Sequence, residues 1–87
     1  MLATFSRPVT VLVGLGFPRR LSNASEALAF LEANPAIDEA YEAVISVCHD
    51  ALDGLTTPQH AHDIVAAYAR RRGVFVDESY EIEALAA

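Results

Sequence analysis

Between Phe5 and Val13 the apolar residues alternate, with Phe5, Val9, Val11 and Val13 on one side and Ser6, Thr10 and Leu12 on the other. A period of two is that of a half-buried strand. Pro8 has no N–H to give and belongs at the start or edge of such a strand. Gly14-Leu15-Gly16-Phe17-Pro18 then reads as a turn, because glycine accepts positive φ and proline stops ladder pairing. Arg19 to Ser22 returns as a second short strand, so the chain opens with a β-hairpin.

Beyond Ser22 the period changes to that of helices. Asn23 with Glu26 three residues later is a capping-box start, and Ala24, Ala27, Leu28 and Leu31 fall on one stripe. Asn34-Pro35 ends that helix, since the residue before proline is pushed out of the α region. Ile37, Tyr41, Val44, Cys48, Ala51 and Leu55 predict a second helix about five turns long, with Glu39, Glu42, Ser46, Asp50 and Asp53 on its outer side and Gly54 just past its end. Thr57 caps a third helix with Pro58 at its first position. Ala61, Ile64, Val65 and Tyr68 face inward, Gly73 terminates the helix, and the arginines before it complement the dipole. Val74-Phe75-Val76 is β-prone and predicts a third, C-terminal strand; residues 78–87 are acidic and alanine-rich and are expected to fray. The fold class is α+β in a single domain over residues 1–87: an N-terminal β-hairpin with a C-terminal third strand, packed by three α-helices as one layer pair.

Composition agrees. Of 87 residues, 53% are hydrophobic and 21% charged, enough for a core although a chain this short buries only roughly 60–65% of its unfolded surface. Cys48 is the single cysteine and has no internal partner, which fits a reducing compartment, so the cytoplasm is expected. Val9 to Phe17 is broken by Gly14 and Gly16 and reads as strand and turn rather than as a leader. No apolar run approaches the ~20 residues of a membrane helix, so no membrane partner is expected.

Charge is segregated. Leu21 to Ala69 carries eight carboxylates (Glu26, Glu32, Asp38, Glu39, Glu42, Asp50, Asp53, Asp63) and no Lys or Arg, while all six arginines lie outside that stretch. If Val74 to Val76 paired beside Arg19 to Ser22, then Arg19, Arg20, Arg70, Arg71 and Arg72 would form a patch for an anionic partner. The net charge of −6 opposes generic attraction to nucleic acid or anionic lipid.

No complete chemical signature is present. Gly14-Leu15-Gly16 follows a strand, but Arg19 stands where a dinucleotide fingerprint needs a third glycine. His60 and His62 point about 200° apart on a helix and cannot share an ion. His60 with Asp63, or His49 with Asp53, lack a third ligand, so solvated histidines near helix ends are expected. Cys48 and His49 diverge by about 100°, and Cys48 lies on the apolar stripe, where a thiol behaves as a small hydrophobe. Tyr41 and Tyr68 read as core aromatics whose hydroxyls reach a polar partner. No catalytic, cofactor-binding or metal residue is assigned, and the chain is not expected to be an enzyme.

The string Pro8-Val9-Thr10-Val11, then Gly14, Ser22 and Glu26-Ala27-Leu28, then Pro35, Tyr41, Ala43, Cys48, Ala51-Leu52, Gly54, Ala61 and Gly73-Val74-Phe75-Val76 resembles a family of small proteins, mostly from rhizobia and related alphaproteobacteria, described as domain of unknown function 982. The resemblance covers nearly the whole chain; its most specific part is the spacing from Pro35 through Tyr41 and Cys48 to Gly54. Asn34, where the family often has Trp, and His62, where it often has Arg, depart from the pattern. The resemblance implies a bacterial, cytoplasmic, single-domain protein and brings no activity, cofactor or partner.

A small interaction or regulatory module that self-associates as a homodimer is the expected function, because the second face of the sheet, with Thr10, Leu12 and the turn's Phe17, lacks a covering layer. A protein partner would serve the same face. Two rival readings are a nucleic-acid-binding regulator using the arginine patch and a small enzyme.

Overall fold

The computed structural model describes residues 3–76, so the segment expected to fray lies outside the described residues. Three strands and three helices follow in the order β1 (Thr4–Val13), β2 (Phe17–Asn23), α1 (Ala24–Ala33), α2 (Glu39–Leu52), α3 (Pro58–Arg71) and β3 (Phe75–Val76). The sheet is antiparallel in the order β2-β1-β3. The α+β class, the hairpin and the third strand are as the sequence predicts. The place of the third strand is not: β3 pairs Val11 with Phe75 and Thr10 with Val76, on the edge of β1 away from Arg19 to Ser22.

Local chemistry explains each boundary. Gly14 and Gly16 take φ of 56° and 98°, and the Gly16 N–H donates to the Val13 carbonyl at 3.0 Å, closing the hairpin through a conformation that favours glycine. Pairing runs from Val13 with Phe17 to Val9 with Leu21, then shifts before Thr4 meets Asn23. β1 thus carries extra residues over Phe5 to Pro8, a bulge that accommodates a proline without an N–H. The Asn23 side chain accepts the Glu26 N–H at 2.8 Å, and Glu26 Oε1 accepts the Ser22 N–H at 2.7 Å. This is the expected reciprocal cap, with the glutamate reaching one residue further back than a capping box requires.

The apolar stripe of α2 is shorter than the sequence pattern implies. Asp38 accepts the Tyr41 N–H at 2.8 Å and starts the helix after Ile37. At the other end, Gly54 N–H donates to Ala51 and Leu55 N–H to Asp50, the paired bonds that stop a helix. Ile37 and Leu55 are left 105% and 75% exposed, outside the helix rather than on its buried side. Thr57 caps α3 with Pro58 in its first turn.

Two helices, not three, cover the sheet. α3 lies on β1 and β3, α1 lies on β2, and α2 packs on α1 and α3 as an outer layer. Leu21, Val9 and Val11 from the sheet meet Leu31 of α1, Val65 of α3 and Val44 and Cys48 of α2 in one core. Ala24, Ala27, Ala61, Ala66 and Ala69 are also buried. These small side chains let helix and sheet backbones approach closely.

Thr10, expected on an open face, is 3% exposed. Tyr41 behaves as expected: its ring is partly buried beside Tyr68, with centroids 6.3 Å apart, and its hydroxyl donates to the Leu31 carbonyl at 2.9 Å. No buried side-chain polar atom among the described residues lacks a partner.

Leu21→Ala removes a fully buried side chain and should cost about 2–5 kcal/mol in urea denaturation, against less than about 0.5 kcal/mol for Leu55→Ala. Burial also pushes the Cys48 thiol from its ordinary 9.0 up to about 11. A raised folded-state value favours the folded protein below pH 9, and that contribution fades as pH rises through about 11. The expected loss is roughly 2–3 kcal/mol, and it should be absent from Cys48→Ala. At pH 8 the thiol should resist a water-soluble alkylating reagent until denaturant is added.

Candidate functional site

α3 runs alongside β1 and ends beside the hairpin. Ser6 Oγ donates to Gln59 at the start of α3, at 2.9 Å. After the helix, Gly73 (φ 76°) lets the Gly73 and Val74 N–H groups bond back to Arg70 and Ala69, at 3.1 and 3.0 Å. This turn brings the Val74 carbonyl to the Leu12 N–H at 2.9 Å. The hairpin, the end of α3 and the α1–α2 loop therefore share one end of the molecule.

The three consecutive arginines leave α3 in three directions. Arg70 stacks its guanidinium 4.4 Å from the Phe75 ring centroid. Arg71 flanks an open groove of about 230 Å³ between α2 and α3, whose other lining residues include Ala40, Ala43, Val44, Ile64 and Ala67. Arg72 Nη1 lies 3.4 Å from Asp38 Oδ2 and its guanidinium 5.7 Å from the Tyr68 ring centroid. Because Arg72 and Asp38 are nearly half exposed, that pair contributes at most about 1 kcal/mol. Burial raises the Tyr68 phenol above its ordinary value, with Arg72 opposing.

Arg19 and Arg20 are exposed on β2. Arg19 pairs with Val11, whose other neighbour is Phe75, so two interstrand spacings, about 10 Å, separate Arg19 from the strand beneath Arg70. Arg20 pairs with Thr10 and so takes the opposite face from Arg19, since neighbouring residues of a strand alternate. The five arginines share a region without converging on one point.

Two residues at this end stand out that the charge pattern does not reveal. Leu15 is 96% and Phe17 67% exposed, one on each side of Gly16 at the hairpin tip. Leu12 is marginally exposed, and Ile37 projects from the neighbouring loop. The signal for Leu15 was available: a residue between two glycines of a turn has no neighbours to bury it. The signal for Ile37 was the cap at Asp38, which places the preceding residue outside the helix.

The histidines do not converge. His60 and His49 are exposed. His62, expected in solvent, is half-buried, packing edge-on against Phe5 with ring centroids 5.6 Å apart. Its Nδ1 lies 2.9 Å from Asp63 Oδ1, which also accepts from Gln59 at 2.8 Å. The bond to His62 holds the Asp63 carboxyl below its ordinary value. Among the described residues no group of three His, Cys, Asp or Glu side chains could hold a metal ion, and no helix is long and apolar enough to cross a membrane. Cys48 is buried in the core.

Neither the curated proteins nor the solved structures give a match to this chain. A family comparison matches residues 7–76 to the family described as Protein of unknown function (DUF982), a span that runs from the bulge of β1 through β3. The chain belongs to the DUF982 family.

Proposed function

We propose that the protein is a small interaction module whose hairpin end binds a second copy of the chain. The observation that carries this reading is the exposure of Leu15 and Phe17 at the hairpin tip. Turns favour glycine, proline and short polar residues. Leu15 in the turn and Phe17 at the last rung of the ladder, opposite Val13, make an apolar patch that association would remove from water.

A two-fold contact needs a surface complementary to itself, and an apolar tip meets that condition where clustered guanidinium groups would repel. Covering Leu15 and Phe17 contributes roughly 1.5–3 kcal/mol for each side chain before the cost of association. The dimer is therefore weak and concentration-dependent.

Contacts within the chain favour this reading over phosphate binding, since Arg72 already faces Asp38 and Arg70 lies on Phe75. The buried thiol of Cys48 and the separated histidines favour binding over catalysis.

Sedimentation velocity from micromolar to near-millimolar protein should show a monomer converting to a dimer. Leu15→Asp combined with Phe17→Asp should keep it monomeric with an unchanged far-UV spectrum, whereas Arg71→Glu should leave the distribution as it was. A wild-type monomer at every concentration, or a double variant that still dimerises, would overturn the reading.

A further inference from the structure

We infer that the groove between α2 and α3 binds a small aliphatic carboxylate, with Arg71 holding its anionic end. Residues spaced i, i+3, i+4 and i+7 share one side of a helix. On α3 these are Ile64, Ala67, Tyr68 and Arg71, and all four line the groove. Ala43 and Val44 supply its α2 wall. Ala43 and Ala67 are exposed, so an apolar chain laid over them would remove hydrocarbon from water.

Arg71 differs from its neighbours. A turn of about 100° per residue sends Arg70 to Phe75 and Arg72 to Asp38 and Tyr68, and leaves Arg71 at the end of the apolar stripe. Among the described residues its guanidinium has no hydrogen bond, ion pair or ring contact.

The charges favour an anion over a cation. No carboxylate lines the groove among the described residues. Glu39 and Glu42 are turned roughly 90° and 150° from the α2 side of the groove at about 100° per residue, and Asp38 already faces Arg72. One guanidinium matches one carboxylate through two parallel N–H donors. A phosphate dianion would be left half compensated.

Size sets the other end of the ligand. About 230 Å³ lies below the ~300–1,000 Å³ of sites for drug-sized molecules. At ~30 Å³ for a water-sized group it holds roughly seven or eight such groups, a straight-chain acid of about six to eight carbons. A partner helix would need anchors along several turns, more than this groove offers. The site is separate from the hairpin tip, since neither Leu15 nor Phe17 lines it.

The test is a nuclear magnetic resonance titration of the full-length protein with octanoate, butanoate, octylammonium and octanol, following Ala43, Ile64 and Ala67. Octanoate should move these resonances saturably. Butanoate should bind at least tenfold more weakly, since a fully buried methylene is worth about fourfold. Arg71→Gln should weaken octanoate roughly tenfold and leave octanol as in the wild type, whereas Ala67→Phe, with an unchanged far-UV spectrum, should abolish both. Leu15→Asp combined with Phe17→Asp should bind octanoate as the wild type does. No saturable shift at low millimolar octanoate would overturn the inference. So would octylammonium binding as tightly as octanoate, undiminished octanoate binding by Arg71→Gln, or shifts confined to the hairpin tip.

Discussion

β1 is paired along both edges, and the rest of the molecule is arranged around that fact. The Gly14 to Gly16 turn brings β2 to one side, and the Gly73 turn at the end of α3 delivers Val74 to the Leu12 N–H on the other. A two-stranded hairpin is marginal in water, and a third strand with a packed face is what makes so small a sheet stable. Once β1 is central, α1 must return over β2 and α3 must run along β1. α2 is then displaced to an outer layer, where Val44 and Cys48 complete the core.

The same constraint decides what happens to the charges. With β3 on the far edge of β1, the arginines of α3 and those of β2 stand at one end of the molecule but on different strands and faces. Arg70 and Arg72 bind aromatic rings and Asp38 instead of facing outward together. What remains prominent at that end is apolar: Leu15 and Phe17. This ordering of features weighs against the rival arginine-patch reading and is the ground on which a contact between chains is proposed, in a member of the DUF982 family.

Features set by neighbours in the chain were legible in the sequence. Asn23, Asn34, Thr57, Gly54 and Gly73 act where their chemistry says they should, because caps and turns depend on a few adjacent residues. Periodicity also places Ile37 and Leu55 on the α2 stripe, where the more local Asp38 cap and Gly54 turn take precedence and end the helix before either residue joins it. Features set by distant parts of the chain were not legible. Strand order depends on which edge of β1 the end of α3 reaches, and no local pattern encodes that. His62 reads as a surface residue until the bulge in β1 sets Phe5 against it, and Thr10 reads as open until the sheet is assembled around it.

The most direct test of this account is the set of cross-strand nuclear Overhauser contacts made by β3. The structure predicts contacts from Phe75 and Val76 to Val11 and Thr10, and from Val74 to Leu12. Contacts from Phe75 or Val76 to Arg20 or Leu21 in their place would put β3 on the outer edge of β2 and contradict the account, returning the arginines to a single ladder.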